Sequence, residues 1–175
     1  IVFGDWSSDV CSSDLSQPGL LVNPSFEDGF NGWTADGNLS IETYPPTDGR
    51  FIADFNSRDR LPDGALTQSF ATIPGQRYSL DFDAGILAYT HDPQVMLVTV
   101  SGAGELVSDT VTLQGAGDGV TRWTTRSLSF VADGTSTTLA FRDQSVATVG
   151  IDLLLDNVRV LALETAAAAA LPDVR

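Results

Sequence analysis

One stretch of the chain decides the fold, RYSLDFDAGIL (77–87), because its apolar side chains recur at every second position. Tyr78, Leu80 and Phe82 fall on one face of an extended chain, while serine and aspartate side chains occupy the other. This alternation has the period of a β-strand that buries one face. The stretch therefore predicts a strand that lies between a core and solvent.

The same pattern of short apolar runs continues on both sides of this strand. Turn sequences rich in Gly, Pro and Asp separate the runs at intervals of about 8–12 residues, which is typical of an all-β fold. About ten strands predict a two-sheet antiparallel β-sandwich with the topology of a jelly roll. The other predicted strands are LLVNPSFE (20–27), LSIETY (39–44), FIADFN (51–56), ALTQSFAT (65–72), QVMLVTVSG (94–102), ELVSDTVTL (105–113), TRWTTRSLSFVA (121–132), STTLAFRDQS (136–145) and IDLLLDNVRVLAL (151–163).

Composition narrows the class of protein. The 175 residues suffice for one domain, and a hydrophobic content of 42% excludes a chain that is disordered by composition. No apolar run approaches the roughly 20 residues of a membrane-spanning helix. The formal charge is −14, and the nine basic residues include no lysine. Such a surface repels phosphate backbones, so nucleic acid is not expected as a partner. Because no apolar run is long enough, a membrane span is not expected either.

The two ends of the chain fall outside the predicted sandwich. The string DWSSDVCSSDL (5–15) resembles translated sequencing-adapter read-through at the ends of metagenomic contigs; the alternative is an acidic, disordered arm. The prediction is a disordered or artefactual segment at 1–18 and a β-sandwich domain at 19–163. An Ala-rich tail or linker follows at 164–175, and it predicts a tether to a further domain or sorting signal.

Catalytic side chains are scarce in this sequence. His91 is the only histidine, no G-x-S-x-G elbow accompanies it, and the single cysteine, Cys11, lies in the excluded segment. Asp81 and Asp83 lie about 6.5 Å apart along their strand, a spacing that glycosidase chemistry permits. Alternating aspartates on the solvent face of an acidic protein are nevertheless expected without any activity. We therefore predict that the protein is not an enzyme.

Four short motifs carry a family resemblance. They are N-x-x-F-E at 23–27, G-W at 32–33, W-x-x-x-S-x-x-F at 123–130 and D-N-V at 156–158. In this order they resemble the galactose-binding-like β-sandwiches. Within that group they are most similar to bacterial CenC-type carbohydrate-binding modules and to the related cell-wall and surface family of unknown function.

The resemblance implies a non-catalytic carbohydrate-binding module of an exported bacterial protein, located outside the cell or on its surface. Its partner would be a polysaccharide or other glycan. Two alternatives stay open at this point. One is a structural or adhesive surface module without sugar specificity, and the weaker one is a hydrolase domain on a jelly roll or a domain associated with a glycoside hydrolase.

The resemblance also implies a structural Ca²⁺ ion that joins the first and last strands. If these strands are neighbours, Glu27 and Asp156 converge, and two converging carboxylates favour a cation between them. The motif makes Glu27 and Asp156 the side-chain ligands, with the Ser25 carbonyl and Asp48 of the PPTDGR turn as completing ligands. In the alternative, Glu27 caps a turn and Asp156 accepts backbone hydrogen bonds.

Sugar recognition needs exposed aromatic faces and planar polar groups that bond hydroxyls. Trp33 and Trp123 match family positions that pack beneath the sheets, so both are expected in the core. The remaining aromatic and polar loop residues form the predicted ligand-binding set. They are Tyr44, Arg50, Tyr89, His91 and Asp92.

Overall fold

The computed structural model describes residues 19–164, which form two antiparallel five-stranded sheets packed face to face. The predicted all-β sandwich is thereby confirmed as the fold class. The predictions for residues 1–18, and for the tail from residue 165 onward, lie outside the described residues. Within them, no helix has the length and apolar character needed to cross a membrane.

Ten strands and one short 3₁₀ helix (Ser57–Asp59) make up the described part of the chain. The strands are β1 (Thr34–Asp36), β2 (Ser40–Glu42), β3 (Ile52–Asp54), β4 (Ala65–Ala71), β5 (Arg77–Ala88), β6 (Pro93–Ser101), β7 (Glu105–Gln114), β8 (Arg122–Val131), β9 (Ser136–Asp143) and β10 (Ile151–Ala162).

Consecutive strands are distributed over both sheets. The first sheet has the order β1-β4-β9-β6-β7, and the second has the order β2-β3-β10-β5-β8. The last strand, β10, therefore lies in the middle of the second sheet, where it pairs with β3 and β5. This central position means that side chains on β10 meet segments from the beginning of the chain.

The core between the sheets follows the alternation seen in the sequence. Phe82 of β5 meets Phe141 of β9 edge to face, with ring centroids 5.2 Å apart. Tyr78 stacks on Phe130 at 5.3 Å, and Trp33 is buried as predicted. Each fully buried side chain of this kind stabilises the fold by about 1.5–3 kcal/mol. Core packing is therefore the main term that holds the sheets together.

A β-bulge interrupts the alternation within β10. The register with β5 shifts between Asp156 and Arg159, and Asn157 has a positive φ of 52°. The sequence pattern predicts Asp156 and Val158 on one face, and this is wrong because the bulge reverses the phase. Val158 enters the core, whereas Asp156 faces the turn that precedes β3.

The predicted first strand at 20–27 is also wrong, although its position beside β10 is as expected. The segment consists of bends and turns, with positive φ at Asn23 and Phe26. Only isolated backbone bonds join it to β10: Leu20 donates to Val160 at 3.3 Å, and Val158 donates to Pro24 at 3.0 Å. The short strand β1 was not predicted, because its three residues are all exposed and carry no alternation.

The depth of the core can be tested with one pair of identical substitutions. Val98 on β6 is 0% exposed and Val146 is 93% exposed. We expect Val98→Ala to lower the free energy of unfolding by about 2 kcal/mol, because it removes two methyl groups from a packed interior. Val146→Ala should change it by less than about 0.5 kcal/mol. Equal effects in urea unfolding would contradict this assignment of the core.

Candidate functional site

Two carboxylates hold the turn that precedes β3, and we call this arrangement the latch (Glu27, Asp156 and the turn 47–51). Asp156 Oδ2 accepts hydrogen bonds from the backbone N–H groups of Thr47 (2.8 Å) and Asp48 (2.9 Å) and from the Thr47 hydroxyl (3.0 Å). Glu27 Oε1 accepts the backbone N–H groups of Arg50 (2.7 Å) and Phe51 (2.8 Å). Residues far apart in sequence therefore close around one turn.

The environment of Asp156 explains why it needs these donors. Its side chain is 0% exposed, and its Oδ1 accepts a further bond from the Asn157 N–H at 2.7 Å. Burial raises the pKa of Asp156 above its ordinary value, and the hydrogen bonds from Asp48, Thr47 and Asn157 offset this only in part. The latch is thus a buried carboxylate that is satisfied by the protein itself.

The other two predicted metal ligands also lie at the latch but make a different contact. The Ser25 hydroxyl donates to Asp48 Oδ2 at 2.6 Å. The N–H groups direct positive charge at Glu27 Oε1 and Asp156 Oδ2, the side on which a cation would have to bind these oxygens. Within residues 19–164, no three His, Cys, Asp or Glu side chains are grouped as metal ligands. Glu27 Oε1 and Asp156 Oδ2 are thus occupied by donors of the protein, and calcium stays a prediction.

The latch can be tested by removing its buried acceptor. We expect Asp156→Ala to lower the free energy of unfolding by roughly 2–4 kcal/mol, because the N–H groups of Thr47 and Asp48 lose their partner. Asp92→Ala, an exposed site with no side-chain bond, is the control and should be nearly neutral. Because the oxygens already accept hydrogen bonds, the melting temperature of the intact chain should not respond to EDTA. A rise with added Ca²⁺ that Asp156→Ala abolishes would instead confirm the calcium prediction.

The outer face of the second sheet, on the side away from the core, carries a separate apolar cluster. Ile52, Leu87 and Leu154 are buried there, and the half-buried rings of Tyr44 and Trp123 pack over them. We call the two rings the aromatic platform. Because three adjacent strands contribute the residues beneath it, the platform rests on rigid backbone.

Trp123 corrects the expectation that both motif tryptophans are core residues. A Cβ on Gly85 would lie 2.5 Å from the Trp123 ring, so the indole rests directly on the backbone of β5. Its Nε1–H donates to the carbonyl of Pro45 at 2.9 Å, which holds the chain segment that carries Tyr44. A glycine inside a strand marks a close approach, so Gly85 was the signal in the sequence that could have located this ring.

Acidic side chains crowd around the platform. Burial, followed by the charges of Asp152, Asp54 and Glu42, raises the pKa of Tyr44 to about 12. Burial is also the largest cause that raises the pKa of Asp54 to about 7 and that of Asp152 to about 6. Glu42 and Asp152 are partly exposed and can accept hydrogen bonds from hydroxyls, whereas Asp54 is buried and accepts the Asn56 N–H. None of the three acids stood among the predicted site residues.

Asp81 and Asp83 share the outer face as the alternation predicts, but both are held by neighbouring strands. Asp83 accepts hydrogen bonds from Thr125 (2.6 Å) and Asn157 (3.0 Å), and Asp81 accepts one from Ser127. Although burial acts in the opposite direction, the bonds from Thr125 and Asn157 lower the pKa of Asp83. The pair is therefore part of the sheet, which agrees with its interpretation as a structural feature.

The predicted ligand-binding residues divide between two places. Tyr89 is 67% exposed, and its ring packs beside Gly119 of the loop between β7 and β8. His91 packs beside Gly117, and Asp92 accepts the Gly115 N–H at 3.0 Å through its carbonyl. Both thus contact the loop between β7 and β8.

Arg50 lies at the latch and has no contact with the platform among the described bonds. Its backbone N–H is bound by Glu27, and its guanidinium carbon lies 5.2 Å from the centroid of the Phe51 ring. This cation–π contact is local to the turn. Of the predicted set, the structure therefore places Tyr44 at the platform, Arg50 at the latch, and Tyr89, His91 and Asp92 at the loop between β7 and β8.

The raised pKa of Asp54 gives a pH dependence with a definite sign. The stability associated with its protonated form is fully present below the unfolded pKa of 3.8 and is lost as the pH rises through about 7. We expect Asp54→Asn to stabilise the protein by roughly 2–4 kcal/mol near pH 8 and to have little effect near pH 4. Asp92→Asn is the exposed control. Urea unfolding of both variants between about pH 4 and pH 8 measures this. Equal changes in the free energy of unfolding for the two variants would contradict the assignment.

Comparison with protein families identifies the family of this chain. A family model described as a protein of unknown function, DUF642, matches residues 27–160 and so spans both carboxylates of the latch. The chain belongs to DUF642. A comparison with curated proteins found no relative of this DUF642 domain.

Solved structures share the fold of the DUF642 domain at low sequence identity. TmCBM61, solved in complex with β-1,4-galactotriose, has a TM-score of 0.64 at 18% identity over 84% of this chain and 100% of its own. The CBM22-1 xylan-binding domain of Paenibacillus barcinonensis Xyn10C has a TM-score of 0.54 at 19% identity over 81% and 93%. The K1 cleaved adhesin domain of Porphyromonas gingivalis Lys-gingipain has 0.56 at 19% over 80% and 96%. At these identities the likeness establishes the β-sandwich fold of carbohydrate-binding modules.

Proposed function

We propose that this DUF642 domain is a non-catalytic carbohydrate-binding module whose ligand lies on the aromatic platform. The observation that carries the proposal is the placement of Tyr44 and Trp123 side by side on an outer sheet face, above Ile52, Leu87 and Leu154. Aromatic faces pack against the apolar faces of pyranose rings, and this contact favours sugars over other polar ligands.

The polar groups around the platform support the same ligand class. The charges of Asp152, Asp54 and Glu42 act on the Tyr44 hydroxyl, and of these three acids Asp152 and Glu42 are partly exposed. Carboxylates accept hydrogen bonds from sugar hydroxyls, while Tyr89 offers a further exposed ring beside the loop between β7 and β8. The contact area is shallow, so we expect dissociation constants in the range of roughly micromolar to millimolar. The carbohydrate-binding modules among the structural neighbours use the same scaffold.

The hydrogen bonds that several acids make within the protein support a non-catalytic role. Asp81 and Asp83 are occupied by hydrogen bonds across the sheet, and Asp156 is consumed by the latch. Export and attachment to a larger bacterial protein belong to the same proposal, as does a partner that is a polysaccharide.

Binding to insoluble β-1,4-galactan and xylan tests the proposal, because these are the ligand types of two structural neighbours. We expect the intact chain to be retained by at least one glycan. Tyr89→Ala should weaken retention about threefold to tenfold through loss of one ring contact. Val149→Ala, at the same 67% exposure, is the matched control and should bind like the wild type.

A second pair of variants addresses the platform itself. Gly85→Ala places a methyl group against Trp123 and should displace the indole from the platform while every ring of the platform is kept. Loss of binding in Gly85→Ala with an unchanged melting temperature would support the platform. Absence of binding to every glycan tested, with a correctly folded chain, would refute the proposal.

An adhesive module is the second candidate, and one observation favours it. Loops at one end of the sandwich expose Leu61, Val146 and Val149 by 76%, 93% and 67%. Exposed apolar side chains in neighbouring loops are typical of surfaces that contact proteins. The adhesin domain among the structural neighbours shows that the scaffold also occurs in adhesins.

A further inference from the structure

A cleft beside the aromatic platform carries the opposite charge to most of the surface. It consists of two adjoining cavities of about 510 and 210 Å³, which share Asn38, Leu39 and Arg60 as lining residues. Arg58 completes the smaller cavity and Leu61 the larger one. We call this region the arginine cleft.

The backbone that presents the arginines has an uncommon conformation. Arg58 and Asp59 are consecutive residues with left-handed φ values of 61° and 53°. Such a conformation is unfavourable for residues other than glycine and persists only where the surroundings enforce it. Here Asp59 Oδ1 accepts the Gly150 N–H at 2.9 Å, and the preceding Ser57 is buried. The fold thus fixes the direction in which Arg58 leaves the backbone.

The cleft offers hydrogen-bond donors that the protein does not use. Among residues 19–164, the guanidinium groups of Arg58 and Arg60 form no ion pair, whereas those of Arg122 and Arg126 do. The side-chain nitrogen of Asn38 is buried and has no acceptor in the same part of the chain. Asp63 also lines the cleft, but its Oδ1 accepts the Asn38 backbone N–H at 2.8 Å. The unused groups therefore suit an oxyanion.

Strand β2 joins the arginine cleft to the surroundings of the platform. Ser40 lines the smaller cavity, and its hydroxyl donates to Glu42 Oε1 at 3.0 Å. Glu42 in turn acts on Tyr44 at the platform. A glycan on the platform that extends along this edge would bring its next residues to Arg58 and Arg60.

We propose that the arginine cleft binds the carboxylate of one uronic acid residue within a glycan. The apolar side chains of Leu39 and Leu61 suit the sugar ring, and Arg58 and Arg60 suit its charged group. The rest of the surface is strongly acidic, so a second negative charge on the ligand would be repelled. The ligand class is therefore an acidic sugar in a mainly neutral chain, and its place beside the platform depends on the proposed function.

Titration of the full chain with glucuronic acid and with glucose tests this, because the two sugars differ only in the charged group at C6. We expect the arginine side-chain NMR signals to shift with glucuronic acid at millimolar concentration and to stay in place with glucose. The double variant Arg58→Gln/Arg60→Gln should weaken this binding at least about tenfold. Arg60→Gln alone, at an extended backbone position, covers the case in which the double variant does not fold.

Three controls make the outcome unambiguous. Arg77→Gln, on the exposed start of β5 outside the cleft, should bind glucuronic acid like the wild type. Inorganic sulfate tests whether the cleft binds any free oxyanion. Binding of sulfate as strong as that of glucuronic acid would overturn the assignment to a sugar. Equal responses to glucose and glucuronic acid, or no effect of Arg60→Gln, would overturn it as well. Neutral glycan binding with Tyr89→Ala reports on the platform, so failure of the platform and failure of the cleft are distinguishable.

Discussion

The buried carboxylate of Asp156 is the contact on which the arrangement of the outer sheet face depends. It accepts the N–H groups of Thr47 and Asp48, and so fixes one end of the segment that carries Tyr44. The indole N–H of Trp123 fixes the same segment through the Pro45 carbonyl. With both contacts in place, Tyr44 has a defined position over the sheet. Asp156 lies on the outer face by the regular alternation of β10, in register with Asp83, and the bulge that follows it returns Val158 to the core.

Much of the fold could be predicted from the sequence, because strands with one buried face leave a clear period of two. β5 shows this best, and the turn residues between runs separated the neighbouring strands correctly. The segment at 20–27 was wrongly predicted as a strand, because Leu21 and Phe26 are buried by turns with left-handed residues. Period alone cannot distinguish these two ways of burying an apolar side chain.

The candidate site was only partly predictable, for a related physical reason. Trp123 occupies an alternating position in β8, but alternation alone does not show which face of a strand packs against the core between the sheets. The register that pairs Trp123 with Gly85 resolves this, but it depends on strand order. Glu42, Asp54 and Asp152 were missed because they are far apart in sequence and converge only when β2, β3 and β10 become neighbours. The convergence of Glu27 and Asp156 on one turn was foreseen, while the donors that occupy them were the open alternative.

The Leu20 N–H donates a hydrogen bond to the Val160 carbonyl oxygen, with 3.3 Å between nitrogen and oxygen, although most of the chain separates the two residues in sequence. A short linker could therefore close the polypeptide into a ring at this edge without moving either sheet. New chain ends could then be opened at the turn around Gly117, on the far side of the sequence from that closure. A circularly permuted protein of this kind would keep every strand pair described above while reversing which strands are synthesised first.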